Sequence, residues 1–237
     1  MHQITTSIES VQRLLRLEKD QIDKCIAAYQ FFQRKSDFTE RDQSEETEHV
    51  KNYYTVVNEI LAVADIEAMY IPPQVDAKQG LFQNQIIWEK MIADSLGLKE
   101  PTSETHLLDV GCGRGRISHR IACYTGGKVD GFNIDANQIE NAIRYAEETD
   151  MRDRLHFQVG DHHKPFNYSD NTFDGIYSFQ AIWPFFVKEE LDDVSRELYR
   201  VLRPGARYSC SEYLLTRDFE KRNPHHMRLH KLFLPVT

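Results

Sequence analysis

Hydrophobic positions fall into two rhythms that change near residue 100. Before it, apolar residues recur every three or four positions. Val11, Leu14, Leu15, Ile22, Ile26 and Tyr29 mark a helix over 1–35, and a second runs from Val50 to Ala68 through Val56, Val57, Ile60, Leu61 and Ala64. Between them, 36–49 is crowded with Glu and Asp and reads as a surface connection. Ile71-Pro72-Pro73 stops the second helix. A third spans about 83–96, with Ile86, Ile87, Met91 and Ile92 inward and Gly97 at its end. With only two glycines in the first hundred residues, this part reads as a helical cap.

After residue 100, short apolar strands alternate with helices, the pattern of a parallel sheet wound with helices on both faces. Strand one is His106–Val110, and its helix runs from about Arg116 to Tyr124 before Gly126-Gly127. Strand two is Lys128–Ile134. Asp135 to Gln138 then resembles a capping box that opens a helix with Ile139, Ala142, Ile143 and Ala146 on one face. Strand three, Leu155 to Val159, ends at Gly160-Asp161, and strand four is Phe173–Phe179. A helix carrying Val187, Leu191, Val194, Leu198 and Val201 leads through Pro204-Gly205 to strand five, 206–215. The reading is therefore two parts, a helical cap over 1–100 and an α/β ligand-binding domain over 101–237.

Composition narrows the partners. The net charge is −8, so no basic stripe is available for nucleic acid. The four cysteines (Cys25, Cys112, Cys123, Cys210) are scattered without a C-x-x-C pair, which points to a reducing compartment and to no disulfide framework. His226 and His230 stand four apart, but without a third ligand nearby no metal is expected. No apolar run approaches the ~20 residues of a membrane span. A cytoplasmic protein is the expectation, with peripheral contact at a membrane surface left open.

The candidate chemistry lies where strand one meets its helix. Asp109 precedes Gly111, Cys112, Gly113, Arg114 and Gly115. Glycines let the backbone approach a ligand, and a helix N-terminus offers N–H groups to an anion. A dinucleotide fingerprint needs G-x-G-x-x-G. Here the third glycine comes one residue early, and acid plus G-x-G-x-G resembles the first motif of S-adenosylmethionine-dependent methyltransferases. Ligands of such sheets sit at the carboxyl ends of the strands. Asn133 with Ile134 and Gln138 is expected at the ribose, Gly160, Asp161 and His162 at the adenine, and Phe179 with Gln180 beside the sulfonium.

Several segments together resemble the sterol C24-methyltransferase family. They are Gly131-Phe132-Asn133-Ile134 with Gln138, Asn171-Thr172-Phe173-Asp174, Glu197 with Arg200 to Gly205, Glu212-Tyr213, and Asn223-Pro224 with His226. Upstream, Tyr53-Tyr54 with Asn58-Glu59 is similar to the family's tyrosine motif and implies a cofactor role for Tyr54; Leu96 to Lys99 matches the lead-in to the first motif. The resemblance covers roughly 50–230. It implies a class I methyltransferase, Rossmann-like fold with a doubly wound, mostly parallel sheet, S-adenosyl-L-methionine as cofactor, and a small hydrophobic acceptor such as an alkene carbon of a sterol or other isoprenoid.

The departures fall where substrate is handled. After strand four the family carries a glutamate and, four residues on, a histidine; here those positions are Gln180 and Pro184, with Trp183 between. An alkene acceptor would leave a carbocation, which aromatic faces stabilise. Tyr177, Phe179, Trp183, Phe185 and Phe186 are the expected lining, and Glu212, then His162 or His163, the expected base. The altered positions keep two other functions in view: transfer to O or N in specialised metabolism, or a non-catalytic S-adenosylmethionine-binding partner subunit. The family fold has two further strands after strand five. A truncated sequence, or a homodimer covering the strand-five edge, is therefore expected.

Overall fold

The computed structural model describes residues 11–12, 14–34, 43–63, 68–182, 191–212, 217–220 and 222–233. By packing, the chain divides into two compact units: Met1–Glu67 with Tyr213–Thr237, and Ala68–Glu212.

In the first unit, α1 (Lys19–Arg34) packs against α2 (Gln43–Val63). Ala28, Val50 and Val56 form its buried contacts, and the Phe31 and His49 rings stack with centroids 4.1 Å apart. Two expectations change. The helix read over 1–35 is interrupted at Arg16–Glu18. The acidic stretch read as a connection is helical from Gln43, because Glu and Gln are good helix formers and need no buried face to extend a helix already anchored at Val50.

The second unit begins with 68–80 and α3 (Leu81–Ser95) and continues as β1 (His106–Val110), α4 (Arg116–Thr125), β2 (Lys128–Asn133), α5 (Ala136–Glu148), β3 (Leu155–Val159), β4 (Phe173–Phe179), α6 (Leu191–Val201) and β5 (Leu202–Ser211). The last described helix of the chain is α7 (Pro224–Phe233), in the first unit. The sheet order is β3-β2-β1-β4-β5, every described pairing parallel. This is the class I methyltransferase arrangement, with β1 at the switch between the two halves. The α3 helix, counted with the cap in sequence, lies in this unit.

Alternation along β1 sorts the core. Leu107 faces one layer, with Ile92, Ala93 and Leu96 of α3, Ile121 and Ala122 of α4, and Val129 of β2. Leu108 and Val110 face the other, with Ile176, Val194, Leu198 and Val201. Each such fully buried aliphatic side chain contributes about 1.5–3 kcal/mol relative to exposure.

The buried face of α3 differs from the expected one. Met91 is 46% exposed, and the buried positions are Asn84, Gln85, Glu89, Ile92 and Ala93. Hydrogen bonds decide the rotation: Gln85 Nε2 donates to the Ala68 and Tyr70 carbonyls at 3.1 and 2.8 Å. Glu89 takes the Tyr70 hydroxyl (2.9 Å) and the Arg120 guanidinium (2.6 Å). On α5, Ile143 is likewise exposed, at 42%. Strand two ends at Asn133, one residue before Ile134. Strand five starts at Leu202, its extra residues at Pro204-Gly205 absorbed as a register shift opposite Phe173–Gly175. The expected extension of strand five over 213–215 lies outside the described residues.

Several segments that carry the family resemblance serve this framework. The Asp174 carboxylate accepts from the His106 N–H at 2.9 Å and pairs with Arg203. Arg200 donates to the carbonyls of Phe166 (2.9 Å) and Tyr168 (2.7 Å) and pairs with Glu197.

Candidate functional site

The strand ends bring together the residues of the glycine turn, Asn133 and Asp161. At the turn, the N–H groups of Gly111 and Cys112 both donate to the Phe132 carbonyl, at 3.0 and 3.1 Å. The turn is thereby fastened to β2. Gly111 has φ +77, and a Cβ there would lie 2.3 Å from the Ala181 Cβ. Gly115, at φ +75, is the N-cap of α4 and abuts Phe157 and Ala142. Cys112 is buried, and burial pushes its thiol well above the usual range.

Asp109 sits on the same face as Leu107, under α4, and is 2% exposed. Its Oδ2 accepts from the Ser118 hydroxyl at 2.6 Å, with the Tyr177 hydroxyl beside it. Burial raises its carboxyl from 3.8 to about 7, against the opposing pull of those hydroxyls.

At the β2 end, Asn133 Nδ2 donates to Gln138 Oε1 at 3.3 Å, and that oxygen packs against Gly113. Half of the expected capping box forms. Asp135 caps α5 by accepting from the Asn137 N–H (2.8 Å), but Gln138 turns toward Asn133 rather than back to the cap. Ile134 is a half-buried bend between them.

At the β3 end, the Gly160 N–H donates to the Asn133 carbonyl at 3.0 Å. Asp161 Oδ1 accepts from the backbone N–H of His163 (3.0 Å) and lies 3.1 Å from its Nδ1. His163 holds the Asp161 carboxyl down to about 2, so it is ionised at any ordinary pH. His162 is lowered as well: burial and the neighbouring His163 disfavour its cation. Sheet order separates β3 from β4 by β2 and β1, roughly 14 Å at ~4.8 Å per strand. This sets His163 with Asp161, far from the β4 end.

At the β4 end, Tyr177 and Phe179 are core residues, 0% and 7% exposed, so neither offers the open aromatic face expected of a pocket lining. The Phe179 ring packs 5.0 Å from Tyr70. Gln180 has φ +52; its N–H donates to the Ser211 carbonyl (2.8 Å) and its Nε2 to the Ile71 carbonyl (3.2 Å). Glu212 Oε1 accepts from the N–H groups of Ala181 (3.2 Å) and Ile182 (3.4 Å). Trp183, Phe185 and Phe186 lie outside the described residues. Tyr54 is on α2, in the first unit, edge-on to Tyr53 at 5.5 Å.

Three contributors escape a reading of motifs: Ser118 on Asp109, Ala181 against Gly111, and the buried Tyr70–Glu89–Arg120 network. Only Glu89 left a trace, as a charge inside an apolar helical face.

The comparisons agree with this architecture. Residues 107–205 match the family model described as a methyltransferase domain. The sterol 24-C-methyltransferase erg6 of Aspergillus fumigatus is 36% identical over 141 residues, 60% of this chain and 36% of that protein. The methyltransferase phqN of Penicillium fellutanum is 29% identical over 153 residues, 65% of this chain and 45% of that one. The chain thus spans less than half the length of these relatives. Among solved structures, the [4+2]-cyclase SpnF has a TM-score of 0.59 at 26% identity, covering 70% of this chain and 60% of its own. A geranyl diphosphate methyltransferase solved with GPP and sinefungin has a TM-score of 0.62 at 21% identity, covering 81% of this chain and 73% of its own, and shows the shared fold.

Proposed function

We propose that this chain, built on a class I methyltransferase fold and resembling the sterol C24-methyltransferases, transfers the methyl group of S-adenosylmethionine to a small hydrophobic acceptor, an alkene carbon of a sterol or other isoprenoid. The observation that carries the reading is the row of polar groups across adjacent strand ends: the glycine turn with Asp109 on β1, Asn133 on β2 and ionised Asp161 after β3. Three neighbouring strands span about 10 Å, the reach of a nucleoside with an amino-acid tail.

The donor set suits such a ligand. Asp161 is an acceptor for an adenine amine. Asn133 and Gln138 offer amide groups to ribose hydroxyls. Asp109 supplies a negative charge that a cationic tail would draw out, and the first turn of α4 supplies N–H groups to its carboxylate. When bound, S-adenosylmethionine supplies a methyl group made electrophilic by positive sulfur. The chain's own work is then to hold acceptor and donor in line, an effect worth up to ~7–11 kcal/mol. The turn after β4, packed on Gly111, borders the side from which an acceptor would approach. A proton must leave if the acceptor is an alkene. Of the expected bases, His162 and His163 belong to the Asp161 end, and Glu212 stands at the β4 end, engaged with the turn there.

One observation favours a second reading. Gln180 stands where the resembling family carries a glutamate, and its side chain is engaged with the Ile71 carbonyl. Transfer to O or N, or a non-catalytic S-adenosylmethionine-binding subunit, would not need that carboxylate.

Calorimetry with S-adenosylmethionine tests the cradle. Binding is expected, weakened at least tenfold by Asp161→Ala. No binding rejects all three readings. Labelled methyl groups appearing in a sterol-containing lipid extract support the first; label in polar metabolites only, or binding without transfer, moves the assignment to the second.

A further inference from the structure

We propose that Glu212 is a positioning residue, whose carboxylate clamps the turn after β4 against the glycine turn. This rests on the assignment of that cradle to S-adenosylmethionine.

The turn is not a shape the chain would hold by itself. Gln180 adopts φ +52, a left-handed conformation that a side chain with a Cβ disfavours. The next two N–H groups, of Ala181 and Ile182, converge on one oxygen, Glu212 Oε1, at 3.2 and 3.4 Å. Two successive N–H groups that share one oxygen fix the orientation of the turn through the position of that oxygen. Glu212 directly follows β5, whose last residue, Ser211, takes the Gln180 N–H at 2.8 Å. The end of β5 therefore grips three consecutive N–H groups of the turn.

The grip is transmitted to the cradle. Ala181 Cβ fills the space beside Gly111, 2.3 Å from where a Cβ on that glycine would stand. Ile182 is 1% exposed in the second core layer with Leu108 and Val110. The turn is thus wedged between the core and the glycine turn, and its height is set by Glu212.

Two conservative variants separate the roles. Glu212→Gln keeps the acceptor oxygen and loses the charge. Glu212→Asp keeps the charge and draws the oxygen back by one methylene. The measurements are hydrogen exchange at the Ala181 and Ile182 amides, affinity for S-adenosylmethionine by calorimetry, and thermal unfolding as a check on the fold. A clamp predicts that Glu212→Asp exchanges at least tenfold faster at both amides and binds S-adenosylmethionine at least fivefold more weakly, while Glu212→Gln stays within threefold of the parent on both. In transfer of labelled methyl to a sterol extract, Gln should exceed Asp; a base would reverse that order. The proposal is overturned if both variants match the parent in exchange and affinity, or if Asp outperforms Gln. If the parent protein binds no S-adenosylmethionine, the functional reading fails alone, and exchange still decides the clamp.

Discussion

At the scale of single residues, the site depends on atoms that are missing or uncharged. Gly111 is one. An alanine there would be held at φ +77 and would drive its Cβ into Ala181. The backbone conformation alone costs about 1–2 kcal/mol, and displacement of the turn adds to it. Gly111→Ala is expected to lower the melting temperature and to weaken S-adenosylmethionine binding at least thirtyfold; calorimetry with unchanged affinity would refute this. Asp109 is the other. Its folded carboxyl titrates near 7 against an ordinary 3.8, so the folded state holds the proton more tightly than the unfolded one. The associated stability is present below pH 4 and is lost as pH rises toward 7. Melting of the ligand-free protein between pH 5 and 8 should therefore fall more steeply than in Asp109→Asn. Ligand binding has the opposite sign: a cationic ligand prefers the ionised acid, so affinity should strengthen between pH 6 and 8 in the parent and stay flat in Asp109→Asn.

At the scale of elements, α3 is held by polar contacts as much as by apolar ones. Glu89 is 2% exposed and joins α3 to α4 through Arg120, whose side chain is 16% exposed, and to the 68–70 segment through Tyr70. Removing one member of a buried ion pair strands the other, at a cost of about 3–5 kcal/mol. Glu89→Ala should thus melt well below the parent. Replacing Glu89 and Arg120 together by Met and Leu should recover much of the loss, because no buried charge remains. Equal destabilisation of the single and double variants would show that packing, not charge, dominates. Most of the elements were legible from period alone. β1, β4 and α4 are bounded within a residue of their expected limits, because continuous apolar runs and glycine stops leave few alternatives. The rotation of α3 was not: three of the positions it buries are polar, and only partners distant in sequence make their burial affordable.

At the scale of the whole molecule, ligand binding couples to folding. S-adenosylmethionine at a hundred times its dissociation constant stabilises the bound fold by about 2.7 kcal/mol. For 150–250 residues that corresponds to a melting shift of roughly 5–10 °C. Scanning calorimetry should show the shift in the transition that carries the second unit, and Asp161→Ala, binding at least tenfold more weakly, should remove about half of it or more at the same ligand concentration.

The sequence by itself determined the sheet, its winding and the class of ligand. An acid followed by closely spaced glycines, between an apolar run and a helix, has few physical solutions, and strand ends on either side supply the neighbouring polar groups. The tertiary structure alone decided what each of those residues touches. Asp109 lies under α4 and takes a hydrogen from Ser118; Gly111 is a glycine because Ala181 occupies the space beside it. His163 is tied to Asp161, and Glu212, just past the end of β5, reaches the turn after the neighbouring β4. Such contacts join residues far apart in the chain: Ala181 meets Gly111, 70 positions before it, and Glu212, 31 positions after it. No local period encodes them, because they are set by which strands the sheet makes neighbours.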